Sequence, residues 1–295
     1  MKFYCTLSDK NYMLQGLTMF KSLIDNSTEQ FVLYYLCFDK ETYNSIIKVN
    51  QEYNNIVPIL LDDLESEFSE LNIAKNNRRY DEYCWMFASW FSNYLINTYD
   101  INHIMYVDAD VYFMKNPQIV FDEINDKSVG IMMHRHVTEK STYGKYNVGI
   151  IYFKSDENGL KVLDWWKDAV INKKYPELAT CGDQKYLDAF IPEFGEDTIS
   201  IIDNGVGHGA PWNWRLYVYE HYEEDGSIIW GDKRQPLVFA HFSQFKFDLE
   251  NDTLDFSGGK YPDHTLGFQV FNIPEVRQVY YNYFQDIKKT RSIWL

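Results

Sequence analysis

The chain has only four cysteines in 295 residues, Cys5, Cys37, Cys84 and Cys181, far apart and each in or beside a regular element. That spacing suits neither a zinc site nor a disulfide framework, and the four read as reduced structural thiols. Positive charge is also scarce. Twenty-eight Lys and Arg stand against 43 Asp and Glu, a net charge of −15, which excludes nucleic acid as a partner, since that affinity comes mainly from cations neutralising phosphates. A single nucleotide diphosphate stays open if a divalent cation supplies the charge. No window approaches the roughly 18 to 20 apolar residues of a membrane span, and the opening MKFYCTLSDKNY lacks the order of a signal peptide. A cytoplasmic location is therefore expected. No glycine-rich phosphate loop follows the first strand, where the turn reads SDKNY, which weakens a dinucleotide or P-loop reading. No repeat, low-complexity tract or linker divides the chain.

What is present belongs to a folded α/β protein. Apolar residues at 45% and charged residues at 24% fall in the globular range. Aromatics are in excess, with 24 Tyr, and their apolar faces and polar tips suit sugar-facing clefts and core edges alike. KFYCTLS reads as a strand. After Asn11, the apolar positions Met13, Leu14, Leu17, Phe20 and Ile24 recur at helical spacing. FVLYYLCF, residues 31–38, is apolar on both faces, as in a strand covered on each side. Asp39 can cap a helix through about Val49, and IVPILL is the next strand. This βαβαβ half commonly places a nucleotide at the carboxyl ends of its strands. One aromatic helix is expected over Tyr80 to Tyr99, strands at SVGIMMH and VGIIYFK, and a helix at NGLKVLDWWKDAVI. From about Gly195 onward the composition points to loops built over the sheet. In the tail, Val276, Val279, Tyr280, Tyr283, Phe284 and Ile287 share one helical face, with Lys288, Lys289 and Arg291 at its end. Such a helix docks onto the body of the protein or holds an anionic membrane surface with Trp294 and its basic cluster.

The chemistry concentrates at IMYVDADVYF. Residues two apart on an extended strand share a face, so Asp108 and Asp110 point at one locus. Two such charges repel unless something positive joins them, and the natural partner is a hard cation, Mg²⁺ or Mn²⁺, that also binds phosphate oxygens. The competing readings of this segment are a solvated turn after a buried strand and the nucleophile loop of a haloacid-dehalogenase-type phosphatase. The phosphatase nucleophile belongs after an early strand, whereas this pair follows a complete βαβαβ half.

YVDADVYFMKNP, YNVGIIYFKSDENG, CGDQKYLDAF, NGVGHGAPWNW and QPLVFAHFSQFK, in that order and preceded by NNRRYDEYCW, resemble bacterial nucleotide-diphospho-sugar transferases related to glycosyltransferase family 8. The resemblance spans nearly the whole chain. It implies a GT-A-like α/β fold, with a Rossmann-like, mostly parallel sheet flanked by helices and a loop-rich C-terminal acceptor region. It implies one domain in which residues 1–115 bind the nucleotide sugar, 116–273 carry the acceptor and catalytic half, and 274–295 form the terminal helix. Asp108 and Asp110 would hold Mn²⁺ or Mg²⁺ with His241 as third ligand, and Lys246 would meet the departing diphosphate. Thr6, Ser8, Asp9 and Tyr12 match the base and ribose position, and Asn77 and Arg78 the nucleotide or phosphate contacts. Asp183 and Gln184 match the Asp-Gln element beneath the sugar, where the Gln of retaining members sits near the anomeric carbon. Asn147 and Trp212 are candidates for lining the donor-sugar and acceptor pocket. The family usually shows His-x-x-Gly-x-x-Lys, whereas here Gln244 takes the Gly position and Lys246 follows His241 by five positions. The implied partners are a nucleotide sugar, UDP favoured over GDP or CDP, and a saccharide or lipid-linked glycan acceptor, with at most peripheral contact at the inner face of a membrane through the C-terminal helix. A non-catalytic sugar-nucleotide binding module is the remaining alternative.

Overall fold

The computed structural model describes residues 1–136, 142–220, 222–255 and 272–295. The expected βαβαβ half is present: β1 (Lys2–Ser8), α1 (Met13–Asn26), β2 (Phe31–Cys37), α2 (Lys40–Tyr53) and β3 (Ile56–Leu60). Alternation along β2 explains its continuous apolar run. Leu33 and Tyr35 pack on one face with Leu17 and Phe20 of α1, while Tyr34 and Leu36 pack on the other with Phe87 and Phe91. Helix α1 lies so close to β2 that a Cβ on Gly16 would stand 2.0 Å from the Tyr35 hydroxyl oxygen, so glycine is required there. Asp39 caps α2 by accepting from the Thr42 N–H at 2.8 Å, worth about 1 kcal/mol. Burial pushes the Cys5 and Cys84 thiols up to about 12, as expected of thiols that stay protonated.

Two short helices, α3 (Leu61–Glu67) and α4 (Ser69–Asn76), lead to α5 (Tyr80–Trp85) and α6 (Phe87–Thr98). The single helix expected over Tyr80–Tyr99 is thus two, meeting at Met86. Neither Gly nor Pro marks the junction; the break lets Trp85 stay 39% exposed while Met86 and Phe87 are fully buried. Next come β4 (His103–Val107), β5 (Val111–Phe113), α7 (Gln118–Ile124), β6 (Val129–Met133), β7 (Tyr146–Lys154), α8 (Glu157–Ile171), α9 (Phe190–Phe194) and β8 (Ile199–Ile202). The main sheet runs β3-β2-β1-β4-β7-β6-β8, with β7 antiparallel to both its neighbours. Chain order reverses between β1 and β4, the switch point where open α/β sheets bind ligands.

The stretch after Gly195 carries more regular structure than its composition announced. Beyond β8, strands β9 (Gly207–Gly209), β10 (Ser227–Trp230) and β11 (Lys233–His241) join β5 in a second sheet. These strands are short or rich in Gly and polar residues, so no two-residue alternation advertises them. A hairpin of β12 (Lys246–Asp248) and β13 (Thr253–Asp255) follows.

The C-terminal helix, Pro274–Trp294, buries all six apolar residues predicted to share its face. Tyr283 stacks on Phe242 with ring centroids 3.8 Å apart, and Tyr112 donates to Asp286 at 2.6 Å. Trp294 packs against Phe20 and Tyr53. Lys288 and Arg291 pair with Asp252 and Glu250. The apolar face is therefore inside the protein, and among the described residues no helix is long and apolar enough to cross a membrane.

Candidate functional site

The two sheets meet at Asp108-Ala109-Asp110. Strand β4 belongs to the main sheet and β5 to the second, so this turn hands the chain from one to the other. Strand β11 runs antiparallel to β5 with His241 opposite Val111, and the Phe242 N–H donates to the Asp110 carbonyl at 2.8 Å. That register delivers a histidine 131 positions downstream of Asp110 to the carboxylate pair. His241 Nε2 lies 3.0 Å from Asp110 Oδ1 and 3.5 Å from Asp108 Oδ2. One ligand atom from each of the three residues falls within 4.8 Å of the others, the only such group found among the described residues.

Electrostatics fit a cation site. Burial alone would lower His241, but Asp110 and Asp108 carry it above its ordinary value. Burial raises the Asp108 carboxyl, a change that His241 opposes and Asp110 reinforces. Both shifts register negative charge gathered in a desolvated place, which a divalent ion would relieve. The donor set, two carboxylate oxygens and an imidazole nitrogen, suits Mn²⁺ or Mg²⁺.

Gly149 makes this packing possible. A Cβ there would stand 2.6 Å from both His241 Nδ1 and Asn147 Oδ1, and its carbonyl accepts from the Asp108 N–H at 3.0 Å. Asn147 faces the second half of the site. Its Nδ2 donates to Gln184 Oε1 at 2.8 Å, Val148 N–H adds a longer bond to the same oxygen, and Gln184 Nε2 donates to the Tyr143 carbonyl at 2.8 Å. The Gln184 amide is thus oriented from both ends. Gly182 adopts φ +63°, and a Cβ on it would meet the Trp85 ring at 2.5 Å. Burial drives the Asp183 carboxyl well above the carboxylate range, Asp108 adds to this, and the N–H groups of Asp183 and Gln184 oppose it.

These groups line a cavity of about 820 Å³ with Ser8, Asp9, Tyr12, Arg78 and Trp212. It opens where β1 and β4 end. Ser8 Oγ lies 2.6 Å from the Tyr35 hydroxyl, and Asp9 accepts from Tyr80 at 3.1 Å. Arg78 donates to the Val170 carbonyl at 3.0 Å and to that of Ile171, both at the end of α8. Trp212 donates to the His134 carbonyl at 3.0 Å and sets its ring edge-on to His241, centroids 5.4 Å apart.

Three expected residues lie apart from the cavity lining. Thr6 is fully buried, Asn77 is exposed and donates to the Ile73 carbonyl, and Lys246 is exposed at the start of β12. Gln244, in the position where glycine was expected, lines the cavity in the left-handed region at φ +58°, the conformation for which glycine is favoured. Residues that the sequence reading passed over are Tyr106, which donates to Asp108 Oδ1 at 2.7 Å, Gly149, Trp85, and His134 and His136 in the wall. Tyr106 had a weak signal, since it precedes Asp108 by two at the end of an apolar strand. His134 and His136 had none, because only the path of the chain beyond β6, where Trp212 donates to the His134 carbonyl, brings them here.

A family model described as nucleotide-diphospho-sugar transferase matches residues 31–203. The chain is 31% identical over 264 residues to YfnF of Bacillus subtilis (strain 168), covering 84% of this chain and 83% of that one. It is 25% identical over 258 residues to YfnD of the same organism, covering 84% and 79%. Among solved structures, mouse xyloside xylosyltransferase 1 in its apo form aligns with a TM-score of 0.55 at 13% identity, over 86% of this chain and 99% of that one. The galactosyltransferase LgtC, in complex with donor and acceptor sugar analogs, aligns with a TM-score of 0.55 at 14% identity, over 82% and 87%. The fold is that of the GT-A glycosyltransferases. The phosphatase reading is not favoured, since the Asp pair follows the fourth strand of this sheet and not an early one.

Proposed function

The chain belongs to the nucleotide-diphospho-sugar transferase family and is a glycosyltransferase; from that premise we propose that it moves a sugar from a UDP-type donor, with Mn²⁺ or Mg²⁺, to a saccharide or lipid-linked glycan of a bacterial surface polymer, with retention at the anomeric carbon. The observation that carries this reading is the meeting of Asp108, Asp110 and His241 in the same cavity as the amide of Gln184.

Asp108, Asp110 and His241 hold the cation, which when bound neutralises charge on the diphosphate leaving group. Ser8 at the end of β1, with Asp9 and Tyr12 beyond it, takes the nucleoside. Arg78, anchored by one nitrogen to α8, turns its remaining donors toward phosphate. Gln184, fixed by Asn147 and the Tyr143 carbonyl, presents its amide to the sugar, and Asp183 beside it accepts from a sugar hydroxyl or donates when protonated. Trp212 and Trp85 wall off the space for sugar and acceptor. In this assignment residues 1–115 serve the nucleotide, 116–273 the sugar and acceptor, and 274–295 buttress the second sheet. Mouse xyloside xylosyltransferase 1 and LgtC, named for transfer of a pentose and a hexose, support a monosaccharide donor.

Thermal unfolding with UDP, GDP, CDP and their sugars, each with and without Mn²⁺, tests the reading. A ligand at about 100 times its dissociation constant adds roughly 2.7 kcal/mol, so UDP should raise the melting temperature only when metal is present. Asp110→Asn should abolish that shift, and an unchanged shift in this variant would remove the cation clamp from the account.

A further inference from the structure

Within that clamp, one oxygen of Asp108 is already taken. Tyr106 lies on β4 and Asp108 directly past its end, where the chain turns. The Tyr106 ring is 3% exposed and its hydroxyl donates to Asp108 Oδ1 at 2.7 Å, while Oδ2 is the oxygen nearest His241 Nε2. The phenol is held in the core cluster with Phe87, Phe91 and Trp166, so its hydroxyl cannot turn to solvent. A carboxylate held in this way has one oxygen free of the phenol, and a cation that took Oδ1 as well would share it with the Tyr106 hydroxyl.

We propose that Tyr106 is a positioning and specificity-determining residue that makes Asp108 a one-oxygen ligand and thereby selects small octahedral cations, Mn²⁺ or Mg²⁺, over Ca²⁺. The inference rests on the assignment of the Asp108, Asp110 and His241 cation site. Its chemical basis is general. Mg²⁺ takes six ligands at about 2.0–2.1 Å and is held by single carboxylate oxygens, whereas Ca²⁺ takes six to eight at about 2.3–2.6 Å and gains from a carboxylate that binds through both oxygens. A hydrogen bond to Oδ1 draws on that oxygen's electron density and fixes its direction, which makes it a poorer second ligand for the larger ion. It also orients Oδ2, as hydrogen bonds behind metal ligands commonly do.

Tyr106→Phe keeps the ring and removes only the hydroxyl. Binding of Mn²⁺ and of Ca²⁺ to the full-length protein with saturating UDP, followed by calorimetry, is compared for wild type, Tyr106→Phe, Asp108→Asn and the double variant, alongside thermal unfolding without metal. The expected result is a rise of about tenfold in the Mn²⁺ dissociation constant, a smaller rise or a fall for Ca²⁺, a metal-free melting temperature lowered by only a few degrees, and no further loss when Tyr106→Phe is added to Asp108→Asn. Equal weakening of both ions, unchanged Mn²⁺ affinity, or the same loss in the Asp108→Asn background would overturn the proposal. If wild type binds neither ion, the cation site falls and this inference with it. If wild type binds Mn²⁺, Asp110→Asn does not, and Tyr106→Phe matches wild type, the inference alone fails.

Discussion

Arg135 should be among the costliest side chains to remove from this protein, although it touches none of the proposed cation ligands. Its side chain is 0% exposed, and its Nε donates to Asp203 Oδ1 at 2.7 Å. Its two terminal nitrogens reach the Asp203 carbonyl at 2.8 Å, Gln235 Oε1 at 2.9 Å and, at 3.4 Å each, the Tyr217 hydroxyl and the Val206 carbonyl. The guanidinium also stands over the Trp230 ring at 5.2 Å. It leaves the end of β6 from a left-handed residue at φ +50°, an expensive conformation for any side chain but Gly, and so bolts the main sheet to the second. Arg135→Met fills much of the volume but strands a carboxylate and several oxygens. Breaking one side of a buried pair costs about 3–5 kcal/mol; because the Asp203 side chain keeps 27% exposure, the lower half of that range, about 3–4 kcal/mol, is expected. For a chain of this size that lowers the melting temperature by about 5–6 °C. Arg135→Lys should rescue little, since a point charge cannot replace the planar fork. Urea unfolding of wild type, Arg135→Met, Asp203→Asn and the double variant measures both the loss and a coupling of about 1.5–3 kcal/mol. A loss under about 1 kcal/mol, or additivity of the two single variants, would refute the role given to this pair.

Stability toward acid should depend on His103. Burial first, then the charge of Lys2, lowers it to about 4, in keeping with a neutral ring that accepts from the Phe3 N–H at 3.3 Å while its other nitrogen faces Asn102 Oδ1. Because the folded value lies below the unfolded value of about 6.5, the unfolded chain takes up the proton first and stability falls as pH drops below 6.5, by about 2 kcal/mol at pH 5. His103→Gln should flatten that part of the stability-versus-pH curve between 7.5 and 5, and identical curves would contradict the assignment. Gly149→Ala should leave a folded protein with its His241 ring displaced, because the added carbon meets Nδ1 at 2.6 Å. Sugar transfer and Mn²⁺ affinity should each fall at least about tenfold, as read by steady-state kinetics and calorimetry, and full activity in the Gly149→Ala variant would show that the close approach does not matter.

Much of the first half of the fold was legible because it is written in local periodicity. The helical spacing from Met13 to Ile24, the two-faced run of β2 and the cap at Asp39 each follow from neighbours within a few residues. Asp108 and Asp110 do come together, but through the turn between β4 and β5, where the Val111 N–H donates to the Asp108 carbonyl at 3.1 Å, and not by the strand alternation expected of them. The second sheet was not legible. Gly207–Gly209 and Lys233–His241 owe their strand state to partners far along the chain, and their own composition carries no alternation. The break at Met86 was hidden for a related reason, since what bends the helix pair is the opposing demand on Trp85 and Met86, not a breaker residue.

The sequence by itself determined the chemistry available: a carboxylate pair at a strand end and an Asp-Gln element. Family motifs in order supplied the expectation that these act together. Only the tertiary structure decided that they meet. The β5–β11 register carries His241 to the pair, Gly149 leaves room for the ring, Asn147 turns the Gln184 amide, and Lys246, so near His241 in sequence, faces outward from a separate hairpin. Side-chain identity is a local property, whereas the distance between two side chains depends on every crossover and packing contact between them.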